Sequence, residues 1–389
     1  MPVSEGDLIV GLAARGDGIG ESGRFHPLTA PGDRILPDGR VEPGPHRAVP
    51  PCRHFPECGG CQLQHVDDPA YAAFLRDRIA SALAAQGVAV PAILPAHISP
   101  PNSRRRATLK AEKKFGRIAI GFHAGKSHKI VDMRECHILR PELFALVEPM
   151  RRLLYQLLAV KDFAEIQMTL ADRGPDVTIT GFKRHGLAAE ELLADFGLAN
   201  GLARLSVDSG VGPETRLEPE PVTVTLGGVR VPLPHGAFLQ ATAEGEWALV
   251  EAVRRALGGA RIVADLFAGL GTFALSIEGR VLAVEGARDA ALALKAAAAR
   301  AQRPVFVDHR DLYRRPLDLA ELGRFEAVVL DPPRAGAKEQ SALLAGSAVP
   351  LIAYVSCNPS TFARDAAALT AGGYRFDWVQ PVGQFRWST

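Results

Sequence analysis

The sequence predicts an α/β protein whose back half is a doubly wound parallel sheet and whose front half is rich in β-structure. Three observations predict it. From Phe238 onward, short apolar runs alternate with amphipathic stretches of ten or more residues, the order that builds a parallel sheet covered by helices. One of those runs, Arg261 to Phe267, leads directly into the glycine turn Ala268-Gly269-Leu270-Gly271-Thr272. Before Phe238 the runs are shorter, often alternate apolar with polar, and are separated by Gly and Pro.

Composition sets the frame. The chain has 389 residues, 47% of them hydrophobic, with a formal net charge of +2. That length favours two or three domains over one core, and the near-neutral balance excludes a general polyanion binder, so any nucleic-acid surface must be local. Met1 to Asp7 is acidic and unlike a secretory leader, and no apolar run approaches the ~18 residues of a membrane span. The expectation is a cytoplasmic protein without membrane association, acting as a monomer.

Taken in order, residues 1–48 read as a small β unit with many turns, residues 49–235 as a central β-rich domain, and residues 236–389 as the α/β domain, which also packs a helix over 70–85. Tyr71, Phe74, Leu75, Ile79 and Leu83 give that helix its 3.6-residue period. Strands are predicted over Arg106 to Lys110, Arg117 to Phe122, Lys129 to Asp132, Ala164 to Leu170, Val177 to Gly181 and Val222 to Leu226. In the α/β domain, a helix is predicted from near Phe273, after the glycine turn.

Three loops of the α/β domain sit where open α/β sheets bind ligands, at the carboxyl ends of strands. Gly269 and Gly271 let the backbone approach a ligand closely. Glu285, ending the run Val281 to Val284, is placed to accept hydrogen bonds from ribose hydroxyls. The third glycine of a dinucleotide fingerprint is absent, so a nucleoside ligand such as S-adenosylmethionine fits better than NAD. Asp331-Pro332-Pro333-Arg334-Ala335-Gly336 follows the buried run Phe325 to Leu330, and its prolines stiffen a loop that fixes the Asp331 carboxylate. Cys357 follows Leu351 to Ser356, with Asn358 and Pro359 suited to the N-cap and first turn of a helix. The helix dipole there is worth only about 0.3 to 1 kcal/mol, less than one pKa unit, so activation of the thiol needs the substrate complex as well.

The other four cysteines, Cys52, Cys58, Cys61 and Cys136, have the spacing C-x5-C-x2-C with a distant fourth member. In a cytosolic protein that pattern points to a metal or iron–sulfur site and leaves tetrahedral zinc equally open. His54, His65 and His137 flank the cluster, and the reading does not make them ligands. Arg104 to Arg117 holds seven bases and one acid, with Lys126, His128 and Lys129 nearby, a charge pattern suited to RNA phosphates or simply to a solvated face.

Together these segments resemble the RNA uracil-C5 methyltransferase family, and within it the iron–sulfur branch that modifies 23S ribosomal RNA. The likeness runs through Pro51-Cys52, Cys58-Gly59-Gly60-Cys61-Gln62-Leu63-Gln64-His65, Arg134-Glu135-Cys136, Phe238-Leu239-Gln240, Asp265 to Thr272, Asp331 to Gly336 and Ser356 to Asp365. It implies a Rossmann-like class I S-adenosylmethionine-dependent methyltransferase domain, a β-rich central domain with a [4Fe–4S] cluster on Cys52, Cys58, Cys61 and Cys136, and a short TRAM-like N-terminal unit without a complete five-stranded barrel. It also implies cofactor contacts from Gln240, Phe267, Thr272, Glu285, Asp311 and Asp331, with Thr272 where many members have Asn.

By the same resemblance, Cys357 adds to C6 of uracil, Asp331 orients the base, and the RNA partner is 23S rRNA, with tRNA as the alternative. The family's general-base Glu lies in a histidine-containing segment beyond Thr389, so the native protein is expected to be longer. A non-catalytic RNA-binding iron–sulfur protein with the same fold is the reading from another class. A methyltransferase of exocyclic nitrogens is disfavoured because Arg334, and not an aromatic residue, follows Asp331-Pro332-Pro333.

Overall fold

The computed structural model describes residues 6–181 and 186–389; residues 1–5, part of the stretch read as unlike a secretory leader, lie outside it. The chain forms two compact units. The first comprises Met1–Leu75, Ile98–Glu220 and Gly383–Thr389, the second Arg76–His97 and Pro221–Val382. Each is assembled from separated stretches of sequence. Among the described residues no helix is long and apolar enough to cross a membrane.

In the first unit, Asp7–Leu12 is the central strand of an antiparallel five-stranded sheet, flanked by Gly18–Gly20 and Phe25–His26 on one side and Arg34–Ile35 and Val41–Glu42 on the other. Five strands thus form where fewer were expected, and the sheet has Phe25–His26 and Val41–Glu42 at its edges. Asp7 ties the turn that follows, accepting from Ser22 and from His26 Nε2 (2.8 Å). The Ser22 bonds hold its carboxyl down at about 2.

The rest of the unit is built on a six-stranded sheet in the order Pro213–Leu217, Arg204–Asp208, Gly174–Thr180, Phe163–Ala171, Arg106–Lys114, Arg117–Gly121. All neighbours are antiparallel except Gly174–Thr180 and Arg204–Asp208, which the helix Leu187–Ala199 connects as a crossover. Alternation puts Leu109, Ala111, Ile166, Met168, Val177 and Ile179 on one face, against Met150, Leu153, Leu154 and Leu157 of the helix Val147–Leu157. Helices thus share one core with this sheet. Lys129 to Asp132 is not a strand; Ile130 makes only an isolated bridge to His123.

The second unit holds a five-stranded, all-parallel sheet ordered Val305–His309, Arg280–Glu285, Ile262–Leu266, Ala327–Leu330, Leu351–Tyr354. Ala327 to Leu330 are completely buried, which explains why this strand reads as an unbroken apolar run. Helices Ala243–Leu257, Arg288–Arg300, Lys338–Ala345 and Pro359–Ala371 belong to the same unit. Thr242 caps the first by accepting from Gly245 N (3.0 Å). The hairpin Thr223–Leu226/Val229–Pro232, placed in the central domain by the sequence reading, is also part of this unit. Its two-residue turn, Gly227-Gly228, has positive φ at both positions (55° and 77°), as such a turn demands.

The helix Asp68–Ala85 covers the predicted 70–85 span and crosses the boundary between the units. Tyr71 and Phe74 pack with Leu63 and Val66, whereas Leu83 packs with Val88, Ala363 and Ala366. No helix follows the glycine turn at Phe273; residues 270–276 are hydrogen-bonded turns. Gly269 and Gly271 both lie at positive φ, which breaks the right-handed spiral at its start.

Candidate active site and cysteine cavity

Because its strands are parallel, the second unit brings every carboxyl end to one edge of the sheet. Leu266 gives way to Phe267 at φ 63°, a left-handed conformation unusual for a bulky residue, followed by Gly269 (55°) and Gly271 (93°). A Cβ at Gly269 would meet nothing within 4 Å, whereas one at Gly271 would collide with Leu294. Gly271 is therefore required by packing, and Gly269 leaves open space beside the turn. Glu285 supports that turn, accepting from Gly269 N (2.7 Å) and Ala287 N (2.6 Å). A carboxylate offers about four acceptor positions, so the second lone pair on each oxygen is left for a ligand hydroxyl.

Asp331 lies one strand over, its amide continuing the ladder to Leu266 O (3.2 Å) and its carboxylate receiving Gln240 Nε2 (3.4 Å). Burial pushes Asp331 up to about 7. Asp265, fully buried one strand away, accepts from Ala274 N (2.8 Å) through one oxygen while the other has no partner. Its desolvation, reinforced by Asp331 and Glu285, lifts it to about 8. Tyr313 joins the two loops: its ring meets Phe267 at 5.5 Å, its hydroxyl donates to Gly336 O (3.1 Å), and its amide donates to Asp311 Oδ1 (2.9 Å). Thr272, in the glycine turn, accepts from Ser276 Oγ through its carbonyl (2.7 Å).

Cys357 is exposed at the end of Leu351–Tyr354, immediately before the helix Pro359–Ala371. Asn358 is its N-cap, accepting from Ser360 N (3.1 Å), with Pro359 in the first turn, as the sequence predicts. That helix also clasps the Asp331 loop. Asn358 Nδ2 and Thr361 Oγ1 donate to Arg334 O (3.0 and 3.1 Å), and Arg364 donates to Ala335 O (3.0 Å). Buried Asp365 accepts from Ala337 N (2.7 Å) and Tyr354 Oη (2.6 Å) and pairs with Arg364. Gly336 (φ 78°) fits beneath Arg364 and Asp365 only because it lacks a Cβ. The structure thus gathers Gln240, Phe267, Gly269, Gly271, Thr272, Glu285, Asp331 and Cys357 on the loops at one sheet edge and connects Asp311 through Tyr313. Sequence reasoning missed Asp265, Tyr313, Tyr354, Arg364 and Asp365 as supports.

In the first unit, Cys52, Cys58, Cys61 and Cys136 line one cavity, with Phe55, Phe122, Val131, Met133 and Ile138 among its walls. Burial raises all four thiols, most of all Cys61, to about 12, and neighbouring cysteines push Cys58, Cys61 and Cys136 further in that direction. The two cysteine-bearing segments are tied together by Arg53 N to Glu135 Oε1 (2.6 Å) and Arg134 N to His54 Nε2 (3.0 Å), and Gly59 N bonds His123 O (2.9 Å). Among the described residues, no three His, Cys, Asp or Glu side chains converge as they would on a single metal ion. His54 accepts from Arg134 N (3.0 Å), His65 Nε2 donates to Thr29 O (3.2 Å), and His137 stands 3.6 Å from Glu135.

The basic stretch is less bare than its sequence. Arg104 is largely buried between the rings of Phe122 (5.9 Å) and Phe385 (5.3 Å). Lys110 pairs with Glu165, Lys114 with Glu112 (2.7 Å) and Lys129 with Glu57 (2.7 Å), while Lys113 donates to Leu158 O (2.9 Å).

No family model matches the chain. It is 52% identical over 98% of its length to a Zymomonas mobilis protein described as an uncharacterized RNA methyltransferase, covering 96% of that protein. It is 32% identical, over 86% of its length and 73% of the relative, to the 23S rRNA (uracil(1939)-C(5))-methyltransferase RlmD of Chromohalobacter salexigens. In structure it is similar to the Pyrococcus abyssi tRNA (uracil-54, C5)-methyltransferase solved with S-adenosyl-L-homocysteine, at a TM-score of 0.76 and 22% identity, covering 99% of this chain and 97% of that one.

Proposed function

Since this chain belongs to the RNA uracil-C5 methyltransferase family, we propose that it methylates C5 of a specific uridine in 23S rRNA, with Cys357 as nucleophile. The observation that supports this most strongly is the exposed thiol of Cys357 at the carboxyl end of Leu351–Tyr354, on a loop bonded through Asn358 and Thr361 to the loop that bears Asp331. A structural cysteine would be buried in the core.

C5 of uracil is a weak nucleophile. Addition of the Cys357 thiolate at C6 forms a C–S bond and moves the ring electrons toward C5 and the carbonyl oxygen, making an enolate. Asp331, with a value near 7, is substantially protonated at neutral pH and can donate a hydrogen bond to that oxygen, where charge develops. S-adenosylmethionine, when bound, would supply the electrophilic methyl group to C5, breaking its S–CH3 bond and leaving as S-adenosylhomocysteine. Loss of the C5 proton to a base then expels the thiolate and restores the aromatic ring. Gly269 and Glu285 fit the nucleoside of this cofactor: the first leaves open space, the second has acceptor positions remaining. The uridine must leave its stack to reach Cys357, at an expense of a few kcal/mol.

The four clustered cysteines support a [4Fe–4S] site. Thiols raised by burial form thiolates only beside a strong cation, and iron supplies it. A cluster takes one thiolate per iron and fills the space between them, which suits four cysteines around one cavity.

The test is a covalent adduct between the protein and 5-fluorouridine-containing RNA. The wild-type protein is expected to form it and Cys357→Ala is not; absence of the wild-type adduct overturns the reading. Mapping 5-methyluridine in cellular RNA with and without the gene then distinguishes a 23S rRNA target from the tRNA alternative.

A further inference from the structure

The segment Phe385–Thr389 is held by a dense set of contacts. Trp387 is only 7% exposed and packs with Cys61, Cys136 and Ile138. Its backbone lies at φ 61°, and its carbonyl accepts from both Gln62 N (2.8 Å) and Leu63 N (2.9 Å), the two amides directly after Cys61. Tyr71 Oη donates to Phe385 O (3.0 Å) and Ser388 O (3.3 Å). Arg386 bonds Asp68 and Ser99 O (3.2 Å), and its guanidinium covers the Trp387 ring at 4.8 Å. Thr389 N reaches Gln62 Oε1 (3.3 Å), whose amide nitrogen holds Gly59 O (2.6 Å). The Trp387 and Thr389 bonds converge on the loop Gly59-Gly60-Cys61-Gln62, which carries one ligand cysteine and adjoins another.

We propose that Trp387, packed behind Cys61 and Cys136 rather than in the cavity lining, is a positioning residue for the cluster of the cysteine site, an inference that rests on the iron–sulfur reading above. The indole keeps water and oxidants from Cys61 and Cys136, and its carbonyl holds the turn after Cys61 in the ligating conformation. The dependence runs both ways. A left-handed, non-glycine residue persists only where its surroundings fix it, so loss of the cluster loosens the loop that holds Trp387 and frees the segment. Buried aromatic surface of this size, with two hydrogen bonds, gives the linkage its strength.

The experiment uses the full chain carrying Trp247→Phe and Trp378→Phe, so that Trp387 is the sole tryptophan of the three in the sequence. Iron is measured anaerobically, and Trp387 emission and its access to acrylamide are recorded before and after oxidative removal of iron by ferricyanide and EDTA. Restored emission alone would follow from losing a coloured quencher, so the deciding quantity is acrylamide access. It is expected to be low with iron bound and to rise severalfold without it. In parallel, bleaching of the cluster in air is compared for the wild type, Trp387→Ala and Trp387→Phe. Bleaching severalfold faster in the alanine variant, with rescue by phenylalanine, is expected. Iron-loaded protein whose Trp387 access is unchanged on iron loss, or whose alanine variant bleaches at the wild-type rate, overturns the proposal while leaving the cluster intact. Protein that never binds iron overturns the cluster reading itself, and this one with it.

Discussion

Cys61 and Cys357 are the same side chain in opposite settings. Cys61 is buried among three other cysteines in an apolar cavity, with its thiol pushed up to about 12, whereas Cys357 is exposed on a loop at the carboxyl edge of a parallel sheet. Burial makes a thiolate useless without a cation, so the first environment suits a ligand held permanently to iron. Exposure suits a group that must reach a substrate and let it go. The difference lies in the scaffolding: loops cross-tied around a hollow in one unit, and in the other a strand end capped by a helix that also anchors the neighbouring loop.

Removing Cys357 tests the contrast most severely. Cys357→Ala is expected to lower methyl transfer by ~10⁴-fold or more while leaving iron content unchanged. Equal loss of iron in that variant would break the separation of roles. Next in size is Asp365→Ala, which removes the buried acceptor shared by Ala337 N, Tyr354 Oη and Arg364. It leaves two buried donors without an acceptor, each costing about 1 to 3 kcal/mol, and the loss is measured by urea unfolding.

A smaller effect is a pH dependence of the catalytic unit. Asp265 and Asp331 have folded values of about 8 and about 7, above the ordinary carboxylate range. The folded state therefore binds more protons than the unfolded chain from about pH 4 to 8, and stability falls as pH rises through that window. Asp265→Asn is expected to flatten the profile by an amount on the order of a few kcal/mol, read from urea midpoints at pH 5, 7 and 9 without cofactor. Smallest is Asn358→Ala, which loses the N-cap of the helix behind Cys357, at ~1 kcal/mol. If it slows adduct formation by no more than that energy accounts for, the cap is structural and nothing further.

Much of the catalytic unit was legible because its chemistry lies in short contiguous segments. The glycine turn, the Asp331 loop and the segment Ser356 to Pro359 each join a strand end to the next element, and strand ends in a parallel sheet share one edge whatever the order of the strands. The clasp was not legible, since Asp365 meets Ala337 across 28 residues of sequence and nothing in its spacing marks it. The same holds for Tyr313 and Phe267, brought together only by the fold. In the first unit, the four cysteines were legible by spacing, whereas the cover over them was not: Trp387 lies 251 residues beyond Cys136. The partners of Arg104 to Arg117 were not legible for a related reason: Glu165, which pairs with Lys110, comes from the neighbouring strand.

The first unit joins its cysteine segments to Gly383–Thr389 across the whole of Pro221–Val382, which belongs to the second unit. A ribosome therefore synthesises those roughly 160 residues before Trp387 can pack on Cys61 and Cys136. At ~5 to 20 residues per second that interval is roughly 8 to 30 s. For that time the two thiols lack their aromatic neighbour, which on the iron–sulfur reading proposed above sets a window for iron delivery and for oxidative damage.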